Sequence, residues 1–252
     1  MRGLGGTLEL HFKTLLLAPV PLRDPFVMVT GADRTHFKSL CNLLGSVAKW
    51  EPEMRCIVYD LGLKPDQRSE LAAASPSREV RRFDYSRYPA YFDIRVNAGE
   101  YAWKPVIFSE VFEECRGSVG WFDAGNVLYE PLYRMRKVVD ALGFYSPLAK
   151  GTIAEWTHPA TLACLNAGAS IARSQNLAGY CVAANYRSPK ARQFAQRWRE
   201  CALTKDCIAP AGSNRGNHRQ DMSVLSILAR QIGLPLYLSR FRLGFDCQQD
   251  ID

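Results

Sequence analysis

The chain has no apolar run near the roughly 18 residues that a membrane-spanning helix needs. Its best stretch, Leu15-Leu16-Leu17-Ala18-Pro19-Val20, is broken by Pro19 and followed by Pro21. That stretch is also too short, and too poor in a clear cleavage site, to read as a signal peptide. Any membrane anchor is therefore expected outside this chain or not at all. Cys-x-x-Cys is absent, which argues against a zinc site, and eight cysteines in 252 residues are too sparse for a disulfide scaffold. The phosphate fingerprints Gly-x-Gly-x-x-Gly and Gly-Lys-Ser/Thr are missing, which disfavours a dinucleotide oxidoreductase or a P-loop ATPase. Gly-x-Ser-x-Gly is missing too, which counts against an α/β-hydrolase. Internal repeats, low-complexity segments and nucleic-acid motifs are likewise lacking, and no nucleic-acid partner is expected.

What is present is an ordinary globular composition. A hydrophobic content of 47% can fill a sizeable core, and the length suits one large domain. The formal charge of +7 is spread along the chain with only short clusters, such as Arg78–Arg82 and Arg134-Met135-Arg136-Lys137. A solvated basic surface accounts for it, and a basic site for a diphosphate fits within it. Cys41, Cys164 and Cys201 fall on apolar faces of expected helices and read as small core residues. Cys201 and Cys207 could bridge if the protein is secreted, and the sequence does not settle the compartment.

Strand and helix signals alternate from about residue 25, the signature of an α/β fold with a mostly parallel sheet. Phe26–Thr30 is a compact strand ended by Gly31-Ala32-Asp33. Phe37, Leu40, Cys41, Leu44, Val47 and Ala48 then share one helical face. Cys56–Tyr59 forms a second strand that delivers Asp60, and Val80–Tyr85 a weaker third. Helices are expected over Tyr101–Glu114, around Ala191–Ala202 and over Gln220–Ile232, with Trp103 and Trp198 in the core. Residues 1–24 lack a pattern and read as a lead-in.

The most informative stretch is Gly120-Trp121-Phe122-Asp123-Ala124-Gly125-Asn126. A short apolar strand, Val119–Phe122, delivers one acid into a tight turn, and open α/β sheets build ligand sites beyond the carboxyl ends of their strands. Alternatively, such an Asp simply fastens its own turn. A polar run, Gly212–Asp221, leads into the last helix, either as part of a site or as a solvated N-cap.

Taken in order, Val29-Thr30-Gly31-Ala32-Asp33, Ile57-Val58-Tyr59-Asp60-Leu61-Gly62, Tyr101-Ala102-Trp103-Lys104-Pro105, Trp121–Asn126 and Asn217-His218-Arg219-Gln220-Asp221 resemble a nucleotide-diphospho-sugar transferase of the GT-A fold. The resemblance is to a group distantly similar to glycogenin-type enzymes, and it covers about residues 25–240. It implies a single Rossmann-like GT-A domain over residues 25–252. It places Thr30, Gly31 and Asp33 at the nucleoside, and Asp60 at the base or ribose. Lys104 would lie against the diphosphate, with Asn126 and Arg219 also on the nucleotide sugar. Asp123 corresponds to the first acid of the family's Asp-x-Asp motif, which holds a divalent cation, Mn or Mg, bridging the two phosphates. Asp221 would act near the sugar and acceptor, with retention of configuration favoured.

This chain departs from that motif: Gly125 replaces the second acid, and one carboxylate holds a hard cation weakly unless phosphates supply the rest. His218 or Asp221 could complete the site, or Lys104 and Arg219 could stand in for the cation. Trp156 and His158 are candidates for the acceptor side, because aromatic rings stack on sugars. The competing reading is a helix start with Thr157 as cap and Pro159 in the first turn. The implied partners are a nucleotide sugar, with a UDP-sugar expected, and a glycan, protein or small-molecule acceptor. A catalytically silent GT-A-like domain that binds a nucleotide sugar or glycan is the alternative, and a Rossmann-like methyltransferase is a more distant one. On the first reading, Asp221 and His218 should converge on the cleft below Asp123, with at least one side chain within reach of a shared ligand.

Overall fold

The computed structural model describes residue 22 and residues 25–73, 78–238, 243–247 and 250–252. Apart from residue 22, the expected lead-in lies outside the described residues. The strands are β1 (Phe26–Ala32), β2 (Arg55–Asp60), β3 (Arg78–Arg82), β4 (Ser118–Phe122), β5 (Val127–Leu128), β6 (Phe144–Tyr145), β7 (Leu148–Thr152), β8 (Gln175–Leu177), β9 (Cys181–Asn185) and β10 (Phe245–Asp246). The helices are α1 (Phe37–Trp50), α2 (Pro65–Ala73), α3 (Trp103–Cys115), α4 (Tyr133–Leu142), α5 (Pro159–Cys164), α6 (Ala169–Ala172), α7 (Pro189–Ala202), α8 (Lys205–Ile208) and α9 (Gln220–Ile232).

Six strands form the central sheet in the order β3-β2-β1-β4-β9-β6. β1 pairs in parallel with β2 and β4, and β2 with β3, while β9 runs antiparallel to β4 and β6. The sheet is thus mostly parallel, and both its faces must be covered by helices. Strand alternation divides the core accordingly. Val27, Val29, Val119 and Trp121 pack with Val106 and Phe112 of α3, Phe194 and Trp198 of α7, and Val224 and Leu228 of α9. On the other face, Phe26, Met28 and Phe122 pack with Leu43 and Val47 of α1 and Met135 and Val138 of α4. Trp103 and Trp198 are both buried, as their helical spacing predicts.

Local chemistry moved several boundaries. β3 begins two residues earlier than expected and stops at Arg82, because it pairs with Cys56–Asp60 of β2. Phe83 then turns into the core, and Asp84 ends the extended run by accepting from Ser86 N at 3.1 Å. α3 starts at Trp103 rather than Tyr101, since the chain up to Tyr101 is left-handed. The start of α5 is capped by His158, not Thr157: His158 Nδ1 accepts from Ala160 N at 3.2 Å, and Thr157 is buried. Cys41 is only half-buried and Cys164 is exposed, because α5 is too short to present more than Thr161 to the core. Cys201 is buried and bonded to Cys207. That bond ties the end of α7 to α8 across a separation of 6 residues. Loop-closure entropy for so short a loop gives about 2 kcal/mol. Reduction should lower unfolding free energy by about that amount, read as a lower denaturant midpoint at unchanged slope.

Candidate functional site

The strand order reverses at β1. The chain runs outward through β2 and β3 and returns to β4 on the other side of β1. Such a switch opens a crevice at the carboxyl ends of the two strands. Asp33 and its neighbours Gly31 and Ala32 at the end of β1, and Asp123–Asn126 at the end of β4, line one cavity of about 540 Å³ there. That volume is within the ordinary range for small-molecule sites, roughly 300–1,000 Å³.

Asp123 is held from beneath. Its Oδ1 accepts from Trp121 Nε1 at 2.6 Å and lies 2.9 Å from Lys104 Nζ. Among the described residues Oδ2 has no partner, and 38% of the side chain is exposed. Lys104 projects from the first turn of α3 and is buried. Besides Asp123, its ammonium meets Gly179 O at 3.1 Å and Asp221 Oδ2 at 3.1 Å. An ammonium has three hydrogens, and three acceptors surround this one. Burial pulls the Lys104 pKa down, but the charges of Asp123 and Asp221 outweigh it and hold it above the ordinary lysine value. Burial pushes the Asp221 carboxyl up to about 6, against the pull of Lys104.

The expected site residues therefore separate into groups. Gly31, Asp33, Asp123 and Asn126 come together on the cavity wall. Thr30 is buried just behind them in β1. Lys104 and Asp221 form a buried layer under Asp123. Lys104, expected against a diphosphate, instead has its hydrogens directed at protein oxygens, and Asp221, expected near sugar and acceptor, is buried. Asp60 is committed to its own turn. Its Oδ1 accepts from Gly62 N at 2.9 Å and Leu63 N at 2.7 Å, and Oδ2 lies 2.7 Å from Arg68 Nε.

His218 does not converge on the cavity. It is buried, with Nε2 donating to Ile208 O at 2.7 Å and Nδ1 accepting from His158 N at 3.2 Å. Burial lowers its pKa, and a neutral ring with both nitrogens taken has no atom free for proton transfer. Arg219 precedes α9, with its guanidinium 4.4 Å from the Trp156 ring centroid. Trp156 and His158 belong to that neighbouring surface, His158 as a helix cap; neither they nor Arg219 line the cavity.

Sequence reasoning missed the other wall. Asn97, Ala98, Glu100 and Tyr101 all have φ between 47° and 53°, and Gly99 has φ 62°. Each non-glycine residue held this way costs of order 1 kcal/mol or more. Gly99 is required, since a Cβ there would collide with Phe92 O. This left-handed turn brings Ala98 and Tyr101 to the cavity beside Trp103. The Tyr101 ring in turn carries Arg215, whose guanidinium stacks 5.4 Å from the ring centroid and donates to its hydroxyl. Arg215 lies in the polar run before α9, where the sequence marks Arg219 by type but does not show which arginine the loop turns toward the cavity. Tyr180 and Asp250 complete the wall, without any local sequence signal. At the base of α1, Asp33 Oδ1 accepts from Thr35 N at 3.0 Å and meets His36 Nδ1 at 3.0 Å. Burial raises the Asp33 pKa, but the hydrogen bonds from His36 and Thr35 outweigh it and hold the carboxyl at about 2.

Two outcomes follow from the buried triad. Lys104→Met leaves two carboxylates facing each other and should lower stability by about 3–5 kcal/mol, measured by chemical denaturation. Asp221 takes up its proton at about 6 when folded, against 3.8 as the ordinary value. Its contribution is thus fully present below pH 3.8 and lost as pH rises through about 6. The stability difference between wild type and Asp221→Asn should grow in favour of wild type as pH falls across that window; a difference constant with pH contradicts the shifted carboxyl.

Among proteins of known sequence family, residues 19–109 match the family described as "Protein of unknown function (DUF1647)", less than half of the chain. No protein of curated function matches it. Solved structures do. The galactosyltransferase LgtC, in complex with donor and acceptor sugar analogues, superposes with a TM-score of 0.52 at 15% identity, over 80% of this chain and 70% of that one. Core-mannan synthase A from Aspergillus fumigatus, in its Mn/GDP form, superposes with a TM-score of 0.55 at 8% identity, over 84% of this chain and 71% of that one. Identities this low speak to architecture alone, and the architecture is plain: this chain has the GT-A fold of the glycosyltransferases.

Proposed function

We propose that the chain transfers a sugar from a nucleotide-diphosphate sugar, with a UDP-sugar as the expected donor, to an acceptor hydroxyl. The observation that carries the reading is the position of Asp123: a half-exposed carboxylate, locked from beneath by Lys104 and Trp121, at the strand switch point of a GT-A fold. The similar structures were obtained with donor and acceptor sugar analogues in one case and with Mn and GDP in the other, which supports a nucleoside-diphosphate ligand for the same crevice. Gly31 and Asp33 would meet the nucleoside. Arg215, pinned to Tyr101, is the cavity cation suited to a phosphate, because a planar guanidinium donates two parallel hydrogen bonds. Lys104 and Asp221 act as positioning residues through Asp123.

Among the described residues no three His, Cys, Asp or Glu side chains gather into a metal site. The oxygens at hand are nonetheless of the hard type that Mg and Mn take. Asp123 Oδ2 is free, and Asn126 Oδ1 is buried without a partner in the same wall. A divalent cation held there would stabilise the departing diphosphate as a Lewis acid. Gly125, in place of a second acid, favours one competing reading, a domain that binds nucleotide sugars without transferring them.

A panel of nucleotide sugars, with and without Mn, separates the two readings. Release of nucleoside diphosphate on incubation with a donor supports transfer chemistry, and tight binding without release supports the silent domain. Asp123→Asn keeps a hydrogen-bond acceptor for Lys104 while removing the charge. It should lower turnover by roughly a hundredfold or more, with an unchanged circular dichroism spectrum showing that the fold is retained. Turnover at the wild-type rate would falsify the assignment of Asp123.

A further inference from the structure

Gly125 leaves a gap where the side chain of a second acid would stand, and another part of the chain fills it. A Cβ at position 125 would overlap Asp250 Oδ1 and lie 2.9 Å from its Cγ and 3.1 Å from Oδ2. The Asp250 carboxylate thus occupies the space next to Asp123-Ala124 that a residue-125 side chain would take. Asp250 is exposed and lines the same cavity. Two residues later Asp252 fastens the segment to the start of α1. Its Oδ1 accepts from Lys38 N at 2.8 Å, and its Oδ2 from Ser39 N at 3.0 Å and Ser39 Oγ at 2.5 Å. Ile251 N donates to Ser39 Oγ at 3.0 Å. A carboxylate at a helix N-terminus satisfies backbone donors that are otherwise unpaired. The anchor fixes Asp250 at Gly125.

Two observations say what this arrangement takes. The first is charge: Asp33, Asp123 and Asp250 line the cavity, and among the described residues Arg215 is its one lysine or arginine. Lys104 already faces Asp123 and His36 faces Asp33, so among the described residues Asp250 is the carboxylate of this wall that no ion pair offsets. A diphosphate would add to the imbalance. The second is Asn126, which is fully buried in that wall. Its Nδ2 donates to Asp123 O at 2.9 Å and Tyr180 O at 3.0 Å, and its Oδ1 has no partner. An unpaired buried amide oxygen costs about 1–3 kcal/mol, and a hard cation satisfies it.

We infer that Asp250 supplies the second carboxylate of a divalent-cation site whose first is Asp123, so that a ligand absent from the local motif comes from a segment more than a hundred residues away in sequence. Asn126 Oδ1 adds a neutral oxygen, and the remaining ligands come from a nucleoside diphosphate and water. The inference rests on the nucleotide-sugar reading of the same cavity.

Calorimetry with UDP, GDP and ADP, each with and without Mn²⁺, tests it, together with electron paramagnetic resonance of the Mn²⁺. In wild type, Mn²⁺ should tighten binding of the preferred diphosphate. Asp250→Ala should weaken the Mn²⁺-dependent binding by roughly tenfold to a hundredfold. It should leave metal-free binding unchanged or tighter, since a repelling charge is gone. Gly125→Asp in the Asp250→Ala background returns a carboxylate to the vacated space and should restore most of the loss. Binding that ignores Mn²⁺, or an Asp250→Ala protein that binds Mn²⁺ and diphosphate like wild type, overturns the inference and leaves the nucleotide reading standing. Failure of wild type to bind any of the diphosphates overturns both.

Discussion

The cavity depends on one buried ammonium. Taking Lys104 out of water costs several kcal/mol unless acceptors replace its hydration. Here they come from three distant parts of the chain: Asp123 after β4, Asp221 in the first turn of α9, and the carbonyl of Gly179 before β9. Lys104 itself comes from α3. Four segments must therefore arrive together before the charge is compensated, and none can shift without leaving a buried ion unpaired. The sheet and helices bring these segments near one another through non-directional burial. The ammonium sets their final spacing, because hydrogen-bond distances tolerate little change.

The opposite wall is held by strain rather than by charge. A run of left-handed residues from Asn97 to Tyr101 is unfavourable in isolation and survives only where surrounding contacts enforce it. Those contacts are visible: Trp103 Nε1 donates to Ala98 O at 2.9 Å, and Gln220 Nε2 donates to Glu100 Oε2 at 3.3 Å. The turn directs Tyr101 outward, and Tyr101 carries Arg215. One face of the cavity is therefore built around Lys104 and the other around Gly99, with α3 beginning directly between them. A short stretch of sequence thus serves both walls.

The scaffold was legible because burial leaves a periodic trace. Val27 and Val29 against Phe26 and Met28, or the apolar stripe of α7, announce their faces directly. The place of Asp123 at the end of an apolar strand was legible too, but whether it faces a cavity or fastens its own turn was not. The assignments of partner were not legible. Asp60 follows a strand in the same manner as Asp123, yet Gly62, Leu63 and Arg68 use its oxygens. The difference is one of partners: the turn after Asp60 folds its own amides back onto the carboxylate, whereas Lys104 and Trp121 hold Asp123 from beneath. His218 and Arg219 stood out by type within a polar run, but the turn that precedes α9 points Arg215 into the cavity and buries His218 against Ile208 O. Asp250 could not be found at all, because its relation to Gly125 exists only in space.

The charge of the whole chain misleads in the same way. A formal +7, read as a solvated basic surface, still leaves room for a basic diphosphate site within it. Instead much of the positive charge near the sheet is already paired: Lys104 with two carboxylates, Arg81 with Glu79 and Glu114, Arg68 with Asp60. The cavity is left acidic on a basic protein. Distant surface cations favour the approach of an anionic donor only weakly, because their fields are screened beyond about 8–10 Å at physiological salt. Once the donor is inside, local charge governs, and there carboxylates outnumber the guanidinium of Arg215. A cation between Asp123 and Asp250 would offset the carboxylates on that wall, while Arg215 offers an anion its guanidinium directly.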